Sequence, residues 1–306
     1  MNQPLVSVIM PSFNHSKYIE KSIRSVINSN YNNIELLIID DGSKDNSFEI
    51  ARKILGGQNI LTNYYLEKQE NCGIVKTLNN LIFRSKGEYI ALLASDDMLT
   101  PNGIEDRVLY LEKNKMVDAV FGRAHLMDQY DNVISLNASK YLYYADEKLL
   151  KSRYIKYELV LRWSAVGPCL LLRKNLYDKI GVYNEKYCVE DRDFYLRMLA
   201  INKIAYIDKV VSMYRIHNSN ISRSRETKRN NRIQCANINI DNYKSFRSIL
   251  LSVYLRSYKI DNLFLKVKFN IIYIVYKTLR YFIIAIYLYL LKINICKMFP
   301  RGDKEI

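Results

Sequence analysis

The run Gly87-Glu88-Tyr89-Ile90-Ala91-Leu92-Leu93-Ala94-Ser95-Asp96-Asp97 sets an unbroken apolar stretch, Tyr89–Leu93, directly ahead of two adjacent carboxylates. A short apolar run of this kind reads as a strand covered on both faces, as strands of parallel sheets are. Working outward, comparable runs lie at Leu5–Met10, Glu35–Asp40 and Asn63–Glu67, with a weaker one at Ala119–Phe121. Between them the apolar residues recur at helical spacing. One helix is expected over Lys17–Asn28, with Tyr18, Ile19, Ile23, Val26 and Ile27 on one face. A second follows Asn46, expected as its cap with Glu49 closing a capping box; a third covers Ile74–Ser85 and stops at Gly87; a fourth opens with Thr100 as N-cap and Pro101 as its first residue. Strand and helix alternating in this way predict an α/β fold with a mostly parallel central sheet flanked by helices.

In such a fold Asp40-Asp41 and Asp96-Asp97 both fall just past the carboxyl ends of strands, the edge at which open α/β sheets bind ligands. Aspartate after a strand is also an ordinary turn residue, so Asp41-Gly42-Ser43 alone carries either meaning. Two acidic pairs on one edge favour the ligand reading. Neighbouring carboxylates resist joint burial unless a cation compensates them, so Asp96-Asp97 points to a hard divalent metal shared with phosphate oxygens.

From about residue 123 to 220 the pattern is less regular. A strand is expected at Cys169–Leu172 after Gly167-Pro168, and a helix near Asn175–Ile180. Glu190-Asp191 then stands at the start of a helix carrying Phe194, Leu196 and Leu199, where acids either complement the helix dipole or serve as a general base aimed into a cleft. No P-loop, GxGxxG, GxSxG or HExxH is present.

At 306 residues, with 49% hydrophobic and 25% charged side chains, the chain suits one large domain or a domain with an appendage, and its mean hydropathy of -0.17 is too polar for a multi-span membrane protein. Five scattered cysteines without CxxC spacing argue against a disulfide framework or zinc site and for a reducing compartment. No basic segment and long apolar run precede Leu5, so no signal peptide is expected. The formal charge of +15 is concentrated: 17 of 46 basic but only 5 of 31 acidic residues lie beyond residue 220, giving residues 221–306 a net +12. That tail is rich in Tyr and Ile from Phe269 to Leu291, but its longest apolar run, Tyr281–Leu291, falls short of the about 20 residues a spanning helix needs. A basic, aromatic, amphipathic segment reads as one lying in the headgroup plane of an anionic membrane, or as a helical subdomain packed on the main domain. No RNP, zinc-finger or helix-turn-helix spacing supports nucleic acid as a partner.

Several ordered blocks, Val6 to Asn14, Ile38 to Ser43, Asn71-Cys72-Gly73, Gly87 to Asp97, Gly181 to Glu185, Glu190-Asp191 and Tyr214-Arg215-Ile216-His217, make the first 220 residues resemble a family 2 glycosyltransferase of the GT-A fold, of the bacterial cell-surface polysaccharide type. The resemblance implies a GT-A (Rossmann-like) domain over residues 1–220, its nucleotide-binding half at about 1–122 and its acceptor half at about 123–220, followed by the basic helical tail at 221–306. It implies an inverting, metal-assisted transfer of a sugar from a nucleotide-sugar donor, expected to be a UDP-sugar, to a hydroxyl of a glycan or lipid-linked acceptor.

Residue by residue, Asp41 resembles the acid that accepts from the uridine base, with Pro11, Ser12, Phe13, Asn14 and Gly73 in the same pocket and Lys76 toward the diphosphate. Asp96 resembles a ribose contact, and Asp97 and His217 resemble ligands of Mg²⁺ or Mn²⁺. Asp191 resembles the catalytic base, with Glu190 beside it. The family's usual first Asp of the metal motif is Ala94 here. His15 and His125 read as surface or structural residues. The expected location is cytoplasmic, peripheral at the inner face of the cell membrane. A catalytically inactive nucleotide- or membrane-binding module is the alternative. A processive synthase lacks support, because Arg162-Trp163 has no preceding Gln and no set of spanning helices is present.

Overall fold

The computed structural model describes residues 3–57, 63–162, 164–201, 203–217 and 225–246, with Phe282, Ala285, Ile286 and Tyr289 further on; most of the expected basic tail, and position 163, lie outside the described residues. The chain runs β1 (Val6–Ser12), α1 (Ile19–Ile27), β2 (Ile34–Asp40), α2 (Ser47–Leu55), β3 (Tyr64–Lys68), α3 (Ile74–Arg84), β4 (Tyr89–Leu92), β5 (Met98–Leu99) and α4 (Gly103–Lys113). It continues through β6 (Ala119–Met127), β7 (Val133–Ser135), α5 (Ala138–Tyr143), α6 (Glu147–Leu150), α7 (Ile155–Arg162), β8 (Leu170–Arg173), α8 (Leu176–Ile180), α9 (Glu190–Ala200), β9 (Ile204–Arg215) and α10 (Arg225–Asn242).

Every residue of β1 and β2 is buried, as the continuous apolar runs require of strands with helices on both faces. These two strands and β3 and β4 form the parallel half of one sheet, in the order β3-β2-β1-β4. The order reverses at β1, so β2 and β4 leave a crevice at their carboxyl ends. The other half is mixed: β8 is antiparallel to β4 and β6, β9 is parallel to β6, and β5 is antiparallel to β9. The twelve-residue β9 escapes a reading by periodicity because Asp208-Lys209 interrupts its apolar pattern. The register against β6 shifts around Arg123, whose guanidinium pairs with Asp208 at 3.1 Å, so the charged step is absorbed in a bulge.

Two caps differ from expectation. Asn46 makes no side-chain capping bond; Asp45 accepts from Ser47 N at 3.0 Å instead, and Glu49 pairs with Arg52, so no capping box forms. The Thr100 hydroxyl donates to Val210 O at 2.7 Å, and α4 starts two residues beyond Pro101, after Asn102. The cause is the close approach of α4 to β9: a Cβ added to Gly103 would lie 2.1 Å from Val211 O. Backbone cannot yield as a flexible side chain does. Gly103→Ala is therefore expected to destabilise the fold by about 3 kcal/mol or more, read as a lower midpoint in urea at unchanged slope.

The expected boundary at residue 220 falls ahead of α10, whose Ile238 and Ala236 are buried and which packs on α9. The first part of the basic tail thus lies against α9.

Candidate active site

The crevice at the end of β1 is shaped by a tight exchange of backbone and side-chain bonds. Asn14 takes a left-handed conformation (φ 55°), its N–H donating to Ser43 Oγ at 2.8 Å while its Oδ1 accepts from Lys44 N at 2.9 Å. Gly42 (φ 77°) makes the turn after β2, where a Cβ would sit 2.9 Å from Asn71 N. This fixes Pro11, Ser12, Phe13 and Asn14 beside Asp41. Asp41 Oδ1 accepts from Cys72 N (2.9 Å) and Gln69 Nε2 (2.8 Å), and Oδ2 from Gly73 N (2.9 Å). Burial pushes this carboxyl up, but those bonds outweigh it and hold it below the ordinary range. Asp41 is therefore an anionic acceptor at the crevice, with Gly73 beside it. Lys76 lies exposed in the first turn of α3.

The acid pair after β4 divides its tasks. Asp96 Oδ2 lies 3.0 Å from His217 Nε2 and 3.9 Å from His15 Nε2. His15 Nδ1 is engaged by Ser95 Oγ at 2.8 Å, which turns the other nitrogen toward Asp96. One ligand atom from each of His15, Asp96 and His217 falls within 4.8 Å of the others. Burial pushes Asp96 up, and the two histidines more than reverse it; burial lowers His15, partly offset by Asp96. Asp97 is different. It is 2% exposed and its Oδ1 accepts from Arg215 N at 2.8 Å; burial and then repulsion by Asp96 hold it well above the usual carboxylate range. Of the two acids expected at the metal and the ribose, Asp97 and Asp96, the structure sets Asp96 against the histidines and bonds Asp97 to the backbone of β9.

His15, expected to be structural, thus joins the candidate ligands. Arg215 was also missed as a functional residue. Fully buried, it donates from Nε to Asp96 O (2.7 Å) and from Nη1 to Asp128 O (3.0 Å), pairs with Asp131, and lies 4.8 Å over the Tyr18 ring. It ties the acid loop to the β6–β7 turn. His125, on β6, stays outside this group.

Glu190 and Asp191 open α9, with Asp191 Oδ1 accepting from Arg192 N at 2.8 Å. Burial raises Asp191 to about 6, with Arg192 opposing; burial and the Asp191 charge raise Glu190 to about 8. Between those values the pair as a whole shares one proton and carries one negative charge. Tyr214 connects this pair to the loop after β4. Its phenol is raised by burial first, then by Asp97, Tyr143, Asp96 and Asp191, so acids from both loops lie within electrostatic reach of one side chain. The histidine-flanked carboxylate and the acid pair of α9 thus both act on the Tyr214 side chain.

The model of glycosyl transferase family 2 matches residues 7–181, and the chain belongs to this family. An uncharacterized glycosyltransferase of Rickettsia typhi is 31% identical over 220 residues, covering 71% of this chain and 65% of the relative, so this chain spans under two thirds of that protein's length. Among solved structures, S. aureus TarS 1–349 in complex with UDP-GlcNAc has a TM-score of 0.60 at 19% identity, covering 87% of this chain and 73% of that one. A mannosyltransferase of Pyrobaculum calidifontis in complex with GDP-Man and Mn²⁺ has a TM-score of 0.62 at 15% identity, covering 87% and 70%. At these identities the likeness is one of fold, and it identifies the mixed sheet as a GT-A domain.

Proposed function

We propose that the chain is an inverting glycosyltransferase that moves a sugar from a nucleotide-sugar donor, a UDP-sugar in our reading, to a hydroxyl of a glycan or lipid-linked acceptor in surface polysaccharide synthesis. The reading is supported by two groups of side chains that both act on Tyr214: Asp96 beside His217 and His15, and the buried Glu190-Asp191 pair at the start of α9. Asp41, anionic and fixed by three donors, suits the imino N–H of a base such as uracil.

The donor set of two imidazole nitrogens and one carboxylate oxygen fits Mn²⁺ better than Mg²⁺, which prefers oxygen. In such a site His15, Asp96 and His217 would hold the ion, which when bound supplies Lewis acidity to the departing diphosphate. The remaining steps belong to the protein. Asp191 takes the proton from the acceptor hydroxyl as that oxygen forms its bond to the anomeric carbon; the bond to the diphosphate breaks on the opposite side, and the configuration inverts. Arg215 and Asp97 keep the acid loop in place. With one base and no second carboxylate assigned as nucleophile, single displacement suffices.

The test is release of nucleoside diphosphate from a panel of UDP-sugars and GDP-mannose in the presence of Mn²⁺. Metal-dependent release from one donor is expected; tight binding to all of them with no release would leave a non-catalytic nucleotide-binding module.

Peripheral attachment to the cytoplasmic face of the cell membrane completes the reading. It is supported by the +12 charge of residues 221–306 and by Phe282, Ile286 and Tyr289, which are helical, 64%, 44% and 64% exposed, and spaced along one helix face. Among the described residues no helix is long and apolar enough to cross a membrane. Because α10 packs on α9, the informative truncation ends after Phe246. That shortened chain is expected to lose flotation with anionic liposomes while binding UDP as the full chain does; equal flotation would rule the tail out as the anchor.

A further inference from the structure

The bonds that α10 makes converge on the segment around Glu190-Asp191. Gln234 Oε1 accepts from the backbone N–H groups of Cys188 (2.7 Å) and Val189 (3.3 Å), the two residues that lead into α9. Asn239 Oδ1 accepts from Arg192 Nε at 3.1 Å, while Arg192 Nη2 donates to Val160 O at 3.0 Å and so reaches α7. Asn242 Nδ2 donates to Asp193 Oδ1 at 3.0 Å. Further out, Asp241 accepts from Lys186 Nζ at 2.8 Å and from the Tyr187 hydroxyl. Arg192, Asp193, Asn239 and Asn242 are buried, so the bonds of Asn239 and Asn242 are interior contacts, while those of Gln234 and Asp241 lie nearer the surface. The residues bonded in this way, 186–189 and 192–193, stand on both sides of the acid pair.

This placement asks for more than packing. The N-cap residue Val189 has no side chain able to bond the first turn of α9, so the backbone leading into that turn is held by a group from another helix. A base must sit within hydrogen-bond reach of the proton it removes, and small misplacements are costly in rate.

We propose that α10 is a strap that sets the position of the Glu190-Asp191 pair, with Gln234 as the positioning residue that fixes the chain where it enters α9. The proposal rests on the reading of Asp191 as the base. It also makes the helix leading to the basic tail mechanically continuous with the catalytic wall of the cleft.

Two variants of the full chain test it. Gln234→Met preserves side-chain length and volume but removes the acceptor; Gln234→Glu keeps an oxygen in place. Gln234→Met is expected to raise hydrogen exchange of the 186–193 backbone at least tenfold. It is also expected to lower kcat at least tenfold for hydrolysis of UDP-GlcNAc or GDP-mannose, whichever the wild type cleaves with Mn²⁺, with KM within twofold. Gln234→Glu should restore exchange protection and bring kcat to within threefold of wild type. Unchanged exchange in Gln234→Met overturns the strap whatever the activity. A wild-type kcat in that variant, KM moving in step with kcat, or Gln234→Glu failing as fully as Gln234→Met overturns the positioning role. If wild type cleaves neither donor, the proposed reaction has failed on that panel, and exchange alone decides the strap.

Discussion

Asp191→Asn is expected to lower nucleoside diphosphate release by about 10²–10⁴-fold while leaving donor affinity within about twofold. The substitution keeps an oxygen that can accept from Arg192 N at the 2.8 Å position, so the first turn of α9 is preserved and only proton uptake is lost. Wild-type kcat should rise with pH through about 6, where Asp191 loses its proton, because a base works only in its ionised form. The stability of the fold should move the other way. Both acids bind protons more strongly folded than unfolded, so their contribution is fully present below the ordinary values of 3.8 and 4.5 and is lost as pH rises through about 6 for Asp191 and about 8 for Glu190. Asp191→Asn removes one of these buried charges, so it should melt higher than wild type above pH 6 and alike below pH 4. A large loss of turnover in a protein that has become more stable separates chemistry from unfolding. Turnover within threefold of wild type would sink the assignment of Asp191 as base.

The parallel half of the fold was legible because local and global signals agree there. The apolar runs of β1, β2 and β4 sit between helices with clear faces, and the carboxylates at their ends fall on one edge as the topology demands. Legibility falls where tertiary contacts override local pattern. Asp208-Lys209 hides β9, yet β9 delivers Arg215 and carries the chain to His217. Asp45, brought beside Ser16 N at 2.9 Å by the loop after β1, displaces Asn46 as the capping group of α2. α10 reads as a basic tail because only two of its described buried residues, Ala236 and Ile238, are apolar; Asn239 and Asn242 become interior because Arg192 and Asp193 meet them on α9. For the site, sequence order marked both acidic pairs and His217. It could not say which member of Asp96-Asp97 faces the cleft, since that depends on the backbone N–H of a residue 118 positions away.

That last distinction has the second large consequence. Asp96→Asn is expected to abolish the Mn²⁺-dependent part of UDP binding, a loss exceeding the about 10–100-fold that outer partners of metal ligands usually bring. Asp97→Asn should keep metal-dependent binding within about threefold. An asparagine there still presents Oδ1 to Arg215 N, and the site already favours an uncharged group, since burial and Asp96 hold Asp97 well above the usual carboxylate range. Asp97→Ala, by contrast, leaves a buried N–H without its acceptor and should destabilise the protein by about 1–3 kcal/mol. Calorimetry of UDP binding with and without Mn²⁺ on the three variants separates the possibilities. Loss of the metal effect in Asp97→Asn with retention in Asp96→Asn would return the ligand role to Asp97. UDP binding equally tight without Mn²⁺ in wild type would remove the ion from the site altogether. The expected order ties recognition to architecture: of two adjacent carboxylates, the one anchored on β9 holds the loop, and that anchorage frees the other to meet His15 and His217 in the cleft.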